Sequence, residues 1–285
     1  MIDPVPRSRK RIAPFHLHRP STVAEAVGLL ADLDDAMPMA GGIEVLNRMK
    51  AGLRASDVIS LSGITELAAV QTGAGALCIG AGVTLHGLAR HETIRQSTPG
   101  LATAMIPVAN VRIRHQATLG GNVLAGTPHY DVLPCLAALD ATLVLATTGG
   151  TVDITARDFA ASAEAMPPRA LLLHAAIPGG ADVLVHDRSM LPGFLLTLGR
   201  QADGTVVAVV AGAHTRPQAR SLGITAGELA GGLTPVAATA VARDWARTLP
   251  PMRDTLHMSA GWRHRVVPVA LSRLLAAQGG GRLAA

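Results

Sequence analysis

A mixed α+β fold is predicted by three features of the sequence. Hydrophobic residues make up 49% and charged residues only 16%, a balance that favours collapse around a core over disorder. Stretches with helical spacing and short strand-like apolar runs both occur, but they do not alternate strictly, which argues against a regularly alternating α/β fold. Glycine and proline punctuate the chain. Their clearest cluster, Pro178-Gly179-Gly180-Ala181-Asp182, is the best linker signal, although one large domain remains an alternative. A chain of 285 residues has room for about two domains and needs no covalent staples. Aromatic residues are only 2%, so Leu, Val, Ala, Ile and Met must build the core.

Residues 20–36 carry an apolar stripe through Val23, Ala26, Val27, Leu29, Leu30 and Leu33. With Ser21 as cap and Glu25 in the first turns, this predicts a helix. Pro38–Gly42 reads as a short strand entering a glycine turn, and Ile43–Lys50 as a helix starting right after it. Val58–Leu61 and Leu77–Gly82 are strand candidates, the second preceded by turn residues Gly73 and Gly75. Helices are expected over Leu85–Arg90 and Ala102–Val108. A second glycine site, read as a turn, spans Ala117–Asn122, followed by a helix over Asp131–Leu139 and a strand over Thr142–Ala146. Gly149-Gly150 turns into Thr151–Ile154. Beyond the linker, Phe194–Leu198 and Val206–Ala213 pair through Ala202-Asp203-Gly204, and the chain from Ala226 is largely helical, ending with Val266–Ala277.

Composition excludes several function classes. A spanning helix needs about 20 apolar residues in a row, and the richest runs are broken, for example by Asp140 and Gly204. No apolar core follows the basic cluster Arg7, Arg9, Lys10 and Arg11, so neither a secretory nor a twin-arginine signal is present. Cys78 and Cys135 sit in apolar runs without metal-like spacing. A cytoplasmic protein without membrane insertion is expected. Net charge is +5 and almost wholly carried by arginine, but the arginines are scattered and no stacking aromatics interleave with them. Nucleic acid is therefore not the expected partner. An acidic cofactor or an acidic partner surface explains the basic balance better.

The usual nucleotide signatures are missing: no dinucleotide fingerprint, no Walker-type loop, no Gly-x-Ser-x-Gly elbow. His86 and His91 lack the zinc-protease arrangement and read as exposed helix residues. What remains are two glycine pairs, Ala40-Gly41-Gly42 and Thr118-Leu119-Gly120-Gly121-Asn122. Such pairs let backbone N–H groups converge on an anion, and Thr118 and Asn122 add side-chain donors. Read from the residues alone, they are either two anion nests gripping a pyrophosphate from both sides or tight turns in a glycine-rich chain.

Ala40-Gly41-Gly42-Ile43-Glu44-Val45-Leu46, with Arg48-Met49-Lys50 behind it, resembles the first flavin-binding motif of the FAD subunits of molybdenum hydroxylases. These are the medium chains of the carbon monoxide dehydrogenase and xanthine dehydrogenase family. Val111–Asn122 resembles their second motif and continues through Gly126–Pro134 and Leu136–Ala141. Ser259-Ala260-Gly261-Trp262-Arg263 is similar to the family's Ser-x-x-Tyr-Arg segment. The resemblance implies an FAD-binding domain in two α+β lobes, of the type shared with vanillyl-alcohol oxidase and the cell-wall reductase MurB, over 1–180. A smaller α+β domain over 181–285 follows. It implies a chain that carries FAD, with electrons arriving from a large molybdopterin-binding subunit through the [2Fe–2S] clusters of a small subunit. No residue here could hold those other cofactors.

Carried over residue by residue, the resemblance places Ala40, Gly41, Gly42, Ile43 and Glu44 at the pyrophosphate, with backbone groups making the contacts. Thr118, Gly120, Gly121 and Asn122 face its other side, and Asp131 takes a cofactor hydroxyl. From the residues, Asp131 also reads as a helix cap before Val132–Leu139, a role that can coexist with the first and whose loss would cost about 1 kcal/mol. Arg114 either supports the second motif or forms a surface ion pair. Two departures stand out. Ile43 occupies a position where the family commonly has a hydroxyl or polar residue, removing one side-chain contact to phosphate. Residues His186–Gly193 lack the usual aromatic and Lys/Arg–Asp pattern, leaving Tyr130, the only tyrosine, either to cover the flavin ring or to serve the structure. The resemblance thus implies an oxidoreductase subunit with no catalytic residue of its own. The rival readings are a stand-alone flavin reductase of the same fold and an FAD-free assembly module.

Overall fold

The computed structural model describes residues 12–255 and 258–278. The basic cluster Arg7–Arg11 lies outside the described residues. Among them, no helix is long and apolar enough to cross a membrane.

The chain opens with a small parallel sheet of β1 (His16–His18), β2 (Ala36–Met39) and β3 (Asp57–Ser60), in the order β1-β3-β2. Two helices make the crossovers that parallel strands require: α1 (Val23–Asp32) and α2 (Ile43–Lys50). The stripe read from the sequence buries Ala26, Val27 and Leu30 of α1. Its cap is Thr22, not Ser21: Thr22 accepts from the Glu25 N–H, while the Glu25 carboxylate accepts from the backbone of Ser21. The helix stops at Asp32, short of the expected residue 36, because Leu33 turns extended and the chain enters β2. Helix α2 begins at Ile43 as expected. Gly42 caps it at φ +75°, a left-handed conformation that favours glycine. Only Met49 of α2 is buried; with Val45 it packs in a small apolar cluster around Ala55 and Val58.

A second, antiparallel sheet has the order β4-β5-β8-β6-β7, from β4 (Val70–Gly73), β5 (Ala76–Gly80), β6 (Thr142–Thr147), β7 (Gly150–Thr155) and β8 (Leu171–Pro178). Helices α3 (Leu85–Arg90), α4 (Glu92–Ser97), α5 (Pro99–Met105), α6 (Val111–Arg114), α7 (Leu119–Leu124) and α8 (Val132–Ala138) lie between β5 and β6, and α9 (Ala156–Ala161) follows β7. The expected helix over Ala102–Val108 is α5, shifted toward the N-terminus because Pro99 starts it, a favoured first-turn position. The second glycine pair is not a turn. Thr118 caps α7 by accepting from the Gly121 N–H at 3.1 Å, and both glycines sit in its first turn.

The third sheet is antiparallel, with the order β12-β11-β10-β9: β9 (Asp182–Asp187), β10 (Leu195–Arg200), β11 (Thr205–Ala211) and β12 (Gln218–Thr225). The β10–β11 pairing read from the sequence is present, Leu196 opposite Val210 and Leu198 opposite Ala208. The linker residues form the turn between β8 and β9. Side chains of β11 alternate between two cores, as a strand buried on both faces must. Val207 and Val209 join the large core around α8, whose seven residues are all buried. Val206, Ala208 and Val210 join a second core with α11 (Pro235–Arg247) and α12 (Ala260–Gln278); the short α10 (Ala226–Ala230) adds Leu229. The third sheet is thus packed onto the helical layer of the second.

Candidate functional site

A cavity of about 690 Å³ lies where the first sheet, the helical layer of the second sheet and the segment after β9 meet. This is within the usual range for sites that enclose a small molecule or cofactor. Ala40, Gly41, Gly42, Ile43 and Glu44 line it from one side, and Thr118, Gly120, Gly121 and Asn122 from another. Asp131 is on the wall too. All ten residues singled out in the sequence therefore border one space.

The two glycine motifs touch, and Gly41 explains how. A Cβ on Gly41 would fall 1.6 Å from the Gln116 carbonyl oxygen and 3.2 Å from the Ala117 nitrogen, so only glycine permits this backbone-to-backbone approach. The following N–H groups, from Gly41 to Glu44, donate to no described residue. Left-handed Gly42 and the start of α2 therefore present a run of free donors, with the positive end of the helix dipole behind them.

The second motif works differently from the nest expected of it. The Gly120 N–H donates to Ala81 O at 2.8 Å, that of Leu119 to Val83 O, and that of Asn122 to Thr118 O. The Gly121 N–H is taken by Thr118 Oγ1. The Asn122 side chain is buried, and its Oδ1 accepts from the Val132 N–H at 2.9 Å. The backbone donors of this motif are thus consumed by the protein. Its contribution is shape: Gly120 fits against Ala81, whose Cβ would be 2.9 Å from an added one, whereas an added Cβ at Gly121 meets only its own cap, Thr118 Oγ1, at 3.1 Å.

Asp131 occupies the cap position of α8, yet its side chain makes no capping bond; Asn122 caps that helix instead. The capping role read from the sequence is therefore replaced by another. Asp131 Oδ1 accepts from His186 Nε2 at 3.1 Å and from Arg188 Nε at 2.6 Å, while Oδ2 accepts from no described residue. Asp131 and His186 are buried, their side chains 4% and 1% exposed. His186 Nδ1 lies 2.8 Å from Thr197 Oγ1 and 3.6 Å from Cys135 Sγ. Burial opposes a charge on this imidazole, but the Cys135 sulfur and the Asp131 carboxylate beside it outweigh that and raise it to about 10. Arg188 continues to Pro107 O at 2.6 Å and lines the cavity with Leu191 and Pro192. Sequence reading set the 186–193 segment aside as a departure. Its partners are 55 and 57 residues away in the chain, and no local pattern signals them.

A raised His186 ties stability to pH with a definite sign. Its folded value lies above the ordinary 6.5. The stabilisation is therefore complete below about pH 6.5 and disappears as pH rises through about 10. Denaturant titrations at pH 6, 8 and 10 should show apo-protein stability falling with pH, and His186→Gln should flatten that fall. Parallel profiles for the two proteins would show that His186 is not charged in the folded state.

Tyr130 donates its hydroxyl to Glu44 Oε2 at 2.8 Å. Burial and this carboxylate push the phenol up to about 12, so it remains a donor. Arg114 forms no surface ion pair: its Nη1 donates to Val108 O and Ala109 O at 2.9 and 3.0 Å, fixing a loop on the cavity wall. Arg263 is fully buried and donates to Gly193 O at 3.0 Å, Met258 O at 3.1 Å and Thr255 Oγ1 at 2.8 Å. It secures the end of the segment that carries Arg188. His91 is exposed, but His86 is half-buried and stacked on His115, with ring centroids 3.9 Å apart.

Free N–H donors at one motif, a side-chain-free wall at the other and an acceptor at Asp131 define a site for an anionic, hydroxyl-bearing cofactor. Residues 13–180 match the family described as the FAD binding domain in molybdopterin dehydrogenase. The chain belongs to that family. It is 32% identical over 168 residues to the carbon monoxide dehydrogenase medium chain of Afipia carboxidovorans, an alignment covering 58% of each chain. The chain thus spans little more than half the length of that relative. Two solved structures share the fold. One is quinoline 2-oxidoreductase from Pseudomonas putida 86, with TM-score 0.80 and 21% identity, covering 95% of this chain and 100% of that one. The other is carbon monoxide dehydrogenase from Hydrogenophaga pseudoflava, with TM-score 0.80 and 23% identity, covering 94% and 98%. Fold and family both fit the α+β FAD-binding architecture expected from the sequence, and the cavity suits FAD in size, donors and glycine-lined walls.

Proposed function

We propose that this chain is the FAD-carrying electron-transfer subunit of a molybdopterin-dependent hydroxylase. The reading is supported above all by one observation: the two glycine motifs, about 75 residues apart in sequence, meet through Gly41 and Gln116 to wall a single cavity with free N–H donors. On this reading, Gly41–Glu44 donate backbone N–H groups to the FAD pyrophosphate. Ala40, Thr118, Gly120, Gly121 and Asn122 shape the opposite wall, and Asp131 Oδ2 accepts from a cofactor hydroxyl. Residues 1–180 form the FAD-binding domain in two lobes and 181–285 the C-terminal domain, which closes the cavity through Arg188. Bound FAD supplies two-electron redox chemistry, while the protein sets its binding and surroundings.

The proposed partners are a large molybdopterin-binding subunit and a small [2Fe–2S] subunit, assembled in the cytoplasm. The relative that is 32% identical is the medium chain of a carbon monoxide dehydrogenase, and a comparable role as an oxidoreductase subunit is proposed here. The test is co-expression with the two partner chains. Substrate-dependent bleaching of the flavin band is expected only in the assembled complex. Turnover of an aldehyde, purine or N-heterocycle by the single chain with an artificial acceptor would replace this reading with a stand-alone flavoenzyme.

A further inference from the structure

We infer that Arg48 is a pyrophosphate-binding residue of the cofactor site, supplying a cationic side chain beside the free backbone donors; this rests on the FAD reading above. Arg48 lies one helical turn beyond Glu44 on α2. Long side chains in a helix sweep back toward its N-terminus, which brings the guanidinium over the turn where the free N–H groups emerge. The contacts agree: Arg48 Nε donates to Glu44 Oε1 at 2.8 Å and Nη2 donates to Ala125 O. Nη1 donates to no described residue, and Arg48 borders the cavity.

A carboxylate beside a pyrophosphate would ordinarily repel it. Both oxygens of Glu44 are engaged, Oε1 by Arg48 and Oε2 by the Tyr130 hydroxyl, so Glu44 acts as a positioning residue that holds the cation in place. A guanidinium already fixed on two of its edges loses little freedom when an anion docks on the third, and it presents the fork geometry that matches phosphate oxygens. The sequence fits this division of labour: Ile43 at the turn offers no polar side chain, and a cation stands one turn beyond Glu44 on the same helix.

The experiment is FAD titration of the stripped full-length chain at several salt concentrations, for wild type, Arg48→Met, Arg48→Gln and Arg48→Lys. Arg48 is nearly half exposed, so the apo-protein melting temperature should barely move. The expected result is FAD binding weakened about 10- to 100-fold in the Met and Gln variants, the scale of a lost charge-assisted bond. Their affinity should also depend less steeply on salt, and Lys, which keeps the charge but not the fork, should restore the salt dependence and only part of the affinity. Near-wild-type affinity in the Met and Gln variants would overturn the assignment. So would weakening with an unchanged salt dependence, because Arg48 would then act only by holding the wall. Failure of the wild-type chain itself to bind FAD would overturn the cofactor reading and this inference with it, an outcome distinct from the others.

Discussion

Replacing Asp131 with alanine should destabilise the apo-protein by about 3 kcal/mol, far more than a lost helix cap. The carboxylate accepts from His186 and Arg188 at a site where both it and the imidazole are almost wholly buried. Removing it leaves two cations facing each other without an anion. His186 can shed its proton, which holds the cost at the lower end of the range for an orphaned buried charge, but Arg188 cannot. The same substitution should weaken FAD binding roughly 10- to 100-fold, because the free oxygen Oδ2 is the acceptor offered to the cofactor hydroxyl. Urea denaturation of the stripped protein reads the first effect and flavin titration the second. An apo-protein loss of only about 1 kcal/mol would show that the contacts of Asp131 with His186 and Arg188 add little to stability.

Gly121→Val should weaken FAD binding to a similar degree while leaving the fold of the apo-protein intact. An added Cβ lies 3.1 Å from the flexible Thr118 Oγ1, its one neighbour within 4 Å, which must give by a few tenths of an ångström; Gly121 borders the cavity, so valine adds bulk to the wall proposed for FAD. Valine is no worse than glycine as a helix former, and apo-protein stability should stay within about 1 kcal/mol of wild type. Overpacking of a filled site costs about 1–3 kcal/mol, which weakens FAD binding about 10- to 100-fold. Together with Asp131→Ala, this variant separates what the site residues do for the cofactor from what they do for the fold. Stoichiometric flavin at unchanged affinity in Gly121→Val would mean that this wall does not face the cofactor.

Local signals were legible where a single element carried them. Helix α2 begins at Ile43 because Gly42 caps it in a left-handed conformation that almost any other residue would resist. The β10–β11 hairpin announces itself through two apolar runs and the Ala202-Asp203-Gly204 turn. The second glycine pair misled for a physical reason: glycines next to an extended segment read as a turn, yet the Thr118 hydroxyl is enough to start a helix through them. Strand β9 escaped notice because most of its residues are half-buried and give no alternating pattern.

The site was legible as a set of residues but not as a network. Resemblance of motifs placed ten residues at a cofactor, and the fold gathers them around one cavity. What tied them together was invisible in sequence. The Glu44–Tyr130 bond spans 86 residues and the Arg188–Asp131 pair 57. Such pairings follow from how the sheets stack, and the sequence carries no periodic trace of them.

The central claim, that this chain binds FAD in the cavity walled by Gly41 and Gly121, is tested most directly by the visible spectrum of the purified full-length protein. A yellow protein is predicted, with flavin absorbance corresponding to about one FAD per chain, bound in the cavity of cofactor size between the glycine motifs. After stripping, added FAD should restore the spectrum to the same ratio in wild type but not in Gly121→Val. A folded, colourless chain that takes up no added FAD would contradict the account and favour an assembly module without a flavin.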